Sequence, residues 1–91
     1  MTKKAKLDSS SRVIIFGRKT CVFCIYSVDF CEAKGLQCDF LDYYDRPEIL
    51  EDYKDFYKQK TVPIILSNCL ETGRTKKIGG YQDLLGCFED E

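Results

Sequence analysis

Ninety-one residues suffice for one compact domain and are too few for two. Hydrophobic residues at 44% and aromatic residues at 13% can build a core without staples, while 14 basic against 15 acidic residues leave a net charge of -1. That balance excludes the broad charged field that draws a chain to nucleic acid or membrane, so attraction for a charged ligand has to come from a local cluster.

The start, Met1-Thr2-Lys3-Lys4-Ala5-Lys6, is basic but runs into no apolar stretch of the kind a secretory leader needs, and no apolar run approaches a membrane span. The chain is therefore expected to be cytoplasmic, where most of its six cysteines would stay reduced. In that setting a close cysteine pair points to redox chemistry or metal more than to a structural bridge. Residues 1–11, polar and rich in Lys and Ser, are expected to form a flexible tail ahead of one domain over 12–91.

Arg12-Val13-Ile14-Ile15-Phe16 is an apolar, β-branched run closed by Gly17, which predicts a buried strand. After Arg18-Lys19-Thr20 comes Cys21 and a helical stretch to about Lys34, with Cys24, Val28 and Cys31 on one face and Gly35 placed for a left-handed helix end. Cys38-Asp39-Phe40-Leu41 predicts a second strand. Asp45 and Glu48 have capping-box spacing around Pro47, and Ile49, Tyr53, Phe56 and Tyr57 form an apolar stripe on the helix that follows. Val62-Pro63-Ile64-Ile65-Leu66 reads as a third strand. A long turn through Cys69 and Gly73 leads to Thr75-Lys76-Lys77-Ile78, an edge strand with solvated lysines, and Gly79-Gly80 precedes a short helix from Tyr81 to Cys87. The order β-α-β-α-β-β-α implies a parallel pair, then an antiparallel hairpin, with helices on both faces of a four-stranded mixed sheet. This is the thioredoxin-like α/β architecture.

The chemistry concentrates at Cys21-Val22-Phe23-Cys24. Two intervening residues put Cys21 at a helix N-terminus, where unpaired N–H groups and the positive dipole end favour a thiolate, and Cys24 one turn inside, where it stays a thiol until it resolves a mixed disulfide. Arg18 and Lys19 add positive charge. The rival reading, half of a zinc site, wants a second such pair or histidines, and the chain has no histidine. Cys31 and Cys38 read as small core residues. Cys69 and Cys87 read as buried and inert, with an exposed, disulfide-forming role as the alternative.

Three separated motifs, Thr20-Cys21-Val22-Phe23-Cys24, Thr61-Val62-Pro63 and Gly79-Gly80-Tyr81-Gln82-Asp83-Leu84, make the chain from Arg12 to Phe88 similar to the glutaredoxins. The resemblance implies a thioredoxin-like fold and a glutathione-dependent thiol–disulfide oxidoreductase with Cys21 and Cys24 catalytic. Glutathione would be co-substrate and protein disulfides or protein–glutathione mixed disulfides the partners of a monomer. It implies a glutathione site built from Arg18, Lys19, Phe23, Gln59, Thr61, Val62, Pro63, Gly80, Tyr81, Gln82 and Asp83. Pro63 would follow a cis bond that turns the Val62 backbone toward Cys21. Arg18 and Gln59 would meet the glycyl carboxylate, the helix from Tyr81 the γ-glutamyl carboxylate, and Asp83 the ligand ammonium. Val22 and Phe23 depart from the Pro-Tyr usual between the family's paired cysteines. Members lacking that proline sometimes hold a [2Fe–2S] cluster between two subunits, with Cys21 as the ligand here. That carrier is one alternative, and a thioredoxin-type reductase served by a flavoenzyme is the other.

Overall fold

The computed structural model describes residues 11–87. Of the expected tail only Ser11 is among them, and it opens the first strand; the end of the expected domain, with Phe88, lies outside the described residues.

In chain order the elements are β1 (Ser11–Gly17), α1 (Val22–Ala33), β2 (Gln37–Asp42), α2 (Pro47–Tyr57), β3 (Ile64–Cys69), β4 (Thr75–Gly79) and α3 (Tyr81–Gly86). The sheet order is β2-β1-β3-β4, with β1 parallel to β2 and antiparallel to β3, and β3 antiparallel to β4. The parallel pair and the hairpin implied by the sequence are both present.

Alternation along β1 divides the core. Val13 and Ile15 point to one face, where they pack with Ile65, Cys31 of α1 and Leu84 of α3. Phe16 points to the other, packing with Ile64, Leu66 and Leu50 of α2. Tyr53 stacks on Phe16 with ring centroids 4.3 Å apart, so α2 is clamped to its face largely by aromatic contact. The helix carrying the cysteine pair and the helix following the two glycines therefore share one face of the sheet.

Several expectations need correction. Arg46, not Asp45, is the N-cap residue of α2, and no side chain caps it. Glu48 instead accepts a hydrogen bond from Arg46 Nε at 2.7 Å, so the charge that would have closed a capping box pairs one residue along. The buried stripe of α2 is centred on Leu50, and Phe56 stands 74% exposed beyond its edge. The third strand begins later and runs further than its apolar run indicates. Ser67, Asn68 and Cys69 continue it because β1 pairs with all three, which puts Cys69 in a strand rather than in the turn. Asn68 Nδ2 then donates to Thr75 Oγ1 at 3.0 Å across the hairpin. Lys76 and Lys77 are both exposed, yet Lys77 Nζ donates to the Tyr57 carbonyl at 2.8 Å and ties the edge strand to the end of α2.

Candidate functional site

Cys21 is the N-cap residue of α1, in extended backbone conformation, so the helix axis starts at its sulfur-bearing residue. It is partly exposed, whereas Cys24, one turn inside, is fully buried. Gly17, at the end of β1, makes room for that burial: a Cβ there would collide with Cys24 Sγ. Burial pushes the Cys24 thiol up to about 12, and its hydrogen bond to Cys21 pushes the same way, against the Arg18 backbone N–H and the Arg18 charge. The pair is thus asymmetric. One sulfur is reachable at a helix terminus, and the other keeps its proton and donates it toward the first.

Two further loops close on Cys21. The Val62–Pro63 peptide bond is cis, and the Val62 carbonyl oxygen lies 3.9 Å from Cys21 Sγ. Gln59 supports this loop from beneath, its amide nitrogen donating to the Thr61 carbonyl at 2.9 Å and to the Pro63 carbonyl at 2.7 Å. Both N–H donors of Gln59 are thereby engaged within the loop, so the side chain braces it. On the opposite side Gly79 adopts φ +123°, which glycine accommodates best, and a Cβ there would strike the Asp83 carboxylate. Asp83 in turn accepts a hydrogen bond from the Gly80 N–H at 2.9 Å and caps the start of α3.

Between these loops lies a groove of about 410 Å³ lined by Phe23, Thr61, Val62, Pro63, Gly80, Tyr81, Gln82 and Asp83. All eight belong to the set the sequence points to, and they are gathered from α1, the loop before β3 and the start of α3. Arg18 and Lys19 stand outside the groove in the loop before Cys21. Lys19 is held by its own backbone, whose N–H donates to Asp42 at 3.0 Å, and by its ammonium over the Tyr44 ring at 5.1 Å.

Sequence reasoning missed four residues here. Tyr26 meets Phe23 at 5.9 Å and Tyr81 at 5.7 Å, completing an aromatic trio at the rim of the groove. Its spacing three residues from Phe23 is the one signal that would have found it. Ser27 is fully buried and donates to the Phe23 carbonyl at 2.7 Å. Asp42 and Gly17 act through contacts with the loop before Cys21 and with Cys24 that no local pattern announces.

A family model described as Glutaredoxin matches residues 13–68. The chain belongs to the glutaredoxin family. The match takes in the cysteine pair and the cis-proline loop, while Gly79–Asp83 falls beyond its end. Among solved structures, glutaredoxin 1 from Francisella tularensis, complexed with cacodylate, is 21% identical with a TM-score of 0.58, covering 82% of this chain and 88% of that one. Glutaredoxin from Brucella melitensis is 20% identical with a TM-score of 0.59, covering 86% and 78%. At such identities the likeness concerns the fold, which is thioredoxin-like. No curated sequence matches the chain. Family and fold together make it a thiol–disulfide oxidoreductase. No helix among the described residues is long and apolar enough to cross a membrane.

Proposed function

We propose that this glutaredoxin reduces protein–glutathione mixed disulfides and protein disulfides, with glutathione as the electron donor. The observation that carries the reading is the groove itself: its cis-proline wall ends at the Cys21 sulfur, and its far wall is the start of α3. Its volume is in the range of small-molecule sites, and an extended tripeptide has a main chain to lie along at Val62.

The Cys21 thiolate attacks the glutathione sulfur of a mixed disulfide. The S–S bond breaks, the substrate leaves as its thiolate, and glutathione stays on Cys21. A second glutathione thiolate then attacks that sulfur, releasing oxidised glutathione and restoring Cys21. For a protein disulfide, Cys21 attacks one sulfur and Cys24 resolves the intermediate, giving up its proton as the Cys21–Cys24 bond forms. Burial holds Cys24 protonated until that step.

Within the groove Val62 presents its backbone to the tripeptide. Gly80, Tyr81, Gln82 and Asp83 bound the γ-glutamyl end, Phe23 and Thr61 flank the sulfur, and Arg18 and Lys19 supply the local positive charge for carboxylates. Gln59 acts by holding the proline loop. As a cluster carrier the chain would offer Cys21 alone, with glutathione and a second copy supplying the rest; among the described residues no group of three metal-ligating side chains gathers.

The test is reduction of a glutathionylated peptide with glutathione and its reductase, against the same assay with a flavoenzyme thioredoxin reductase in their place. Turnover only in the glutathione arm is expected. Equal or greater turnover with thioredoxin reductase would contradict the reading.

A further inference from the structure

A second pair of thiols lies at the other end of α1. Cys31, on the last turn of that helix, is fully buried, and Cys38, on β2, is half-buried in contact with the same core cluster. The chain turns back tightly between them, with the Leu36 N–H donating to the Cys31 carbonyl at 2.9 Å and Gly35 at φ +71°. The two side chains hydrogen-bond to each other. β2 is an edge strand of the sheet, so Cys38 is the member of the pair nearer to solvent.

We propose that Cys31 and Cys38 form a second dithiol–disulfide couple, separate from Cys21 and Cys24, that a small neutral peroxide oxidises. Cys38 is the attacking sulfur. Its partial exposure admits a small molecule, and the hydrogen bond from Cys31 favours its thiolate, lowering Cys38 while raising Cys31. The oxidant class follows from the surroundings. The Glu32 and Asp39 carboxylates act unfavourably on the Cys38 thiolate, Asp39 while paired with Arg12 at 3.2 Å, and half-burial disfavours a bulky reagent such as oxidised glutathione. A peroxide carries neither charge nor bulk.

In the reaction the Cys38 sulfur attacks one peroxide oxygen, the O–O bond breaks, and a sulfenic acid forms with loss of hydroxide. The Cys31 sulfur then attacks Cys38 sulfur. The S–S bond forms as the S–O bond breaks, and the Cys31 proton and the departing hydroxide leave as water. Two thiols are oxidised by two electrons and hydrogen peroxide is reduced to two waters. The bond staples the C-terminal end of α1 to the edge of the sheet, and a small neutral dithiol such as dithiothreitol reverses it by closing its own disulfide.

The test uses the full chain carrying Cys21→Ser and Cys24→Ser, treated with stoichiometric hydrogen peroxide, blocked with N-ethylmaleimide in denaturant and mapped by mass spectrometry. Most chains should lose two hydrogens, and the peptides on either side of the cleavage site at Lys34 should be joined through Cys31 and Cys38. A further Cys31→Ala change should leave a Cys38 sulfenic acid that dimedone traps. Mapping the unsubstituted chain in the same way gives the answer if the double variant does not fold. Blocking of Cys31 and Cys38 in full while Cys69 or Cys87 oxidises, or disulfide-linked dimers through Cys38, would overturn the proposal. Faster oxidation by oxidised glutathione than by peroxide would overturn the choice of oxidant.

Discussion

The two ends of α1 hold the same chemical parts in different surroundings. At each end a fully buried thiol hydrogen-bonds a half-buried one, Cys24 to Cys21 and Cys31 to Cys38. What differs is everything around them. Cys21 sits at the N-terminus of the helix beside Arg18 and opens onto a groove, whereas Cys38 lies on an edge strand between Glu32 and Asp39 with no groove lined by its side chain among those described. Thiol pairing alone therefore does not make a glutathione site. On the proposed reading the helix terminus, the sign of the local charge and an adjoining backbone for the tripeptide would do so together.

The largest effect that could break this comparison comes from exchanging which pair is disabled. Cys21→Ser should reduce turnover of a glutathionylated peptide to background, and Cys38→Ser should leave it near that of the unsubstituted chain. Cys24→Ser should keep that turnover while losing reduction of intramolecular protein disulfides. Steady-state rates on the two substrates distinguish these outcomes, and an equal loss in the Cys21 and Cys38 variants would remove the distinction between the ends.

Gly17→Ala should come next. The added methyl collides with Cys24 Sγ, and overpacking of this kind costs about 1–3 kcal/mol. Denaturant melts should show the loss. In a Gly17→Ala, Cys24→Ala double variant most of it should return, because the colliding sulfur is gone.

Similar in kind is a contrast between neighbouring glycines. Gly79→Ala places a methyl at φ +123° against Asp83 and should cost about 1–3 kcal/mol of stability. A Cβ on Gly80 meets nothing nearer than 3.9 Å, so Gly80→Ala should stay within about 0.5 kcal/mol. That residue lines the groove, and its substitution should instead raise the KM for glutathione. Melts and kinetics on the two variants should give opposite patterns.

The remaining effect concerns alkaline pH. The folded chain holds the Cys24 proton up to about 12 and the unfolded chain gives it up near 9.0. A raised folded value contributes stability that is fully present below the unfolded value and is lost as pH rises from about 9 toward 12. Cys31, also raised, acts in the same direction, whereas Cys38, lowered by its bond to Cys31, accrues its stability as pH rises to the unfolded value of 9.0 and leaves the slope above it to the other two. Stability measured across that window should fall, and Cys24→Ala should flatten the slope.

Much of this arrangement was legible in the sequence, for local reasons. The β-branched run before Gly17, the spacing of Cys21 and Cys24, and the left-handed Gly35 each depend on neighbours a few residues away, and the structure agrees with them. The start of α2 misled because two acceptable N-termini overlap there, and the Arg46–Glu48 ion pair belongs to the one that forms. In its stripe Tyr53 and Tyr57 face the core as expected, but Leu50 takes the place of Ile49, because the two are equally apolar and only the sheet decides which is buried. Cys69 was misplaced since polar Ser67 and Asn68 resemble a turn until β1 pairs with them. Tyr26 and Asp42 gain their roles from partners on other elements, and Gln59 shows its use as a brace only when the proline loop folds above it.

On the proposed mechanism Cys21 takes glutathione, rather than the protein moiety, from a mixed disulfide. Single turnover settles it: the Cys24→Ser chain is mixed with a glutathionylated peptide without free glutathione, quenched in acid, digested and analysed by mass. Glutathione should be found on Cys21, with the peptide released as its thiol. The peptide itself disulfide-bonded to Cys21, or glutathione found on Cys38 instead, would contradict it.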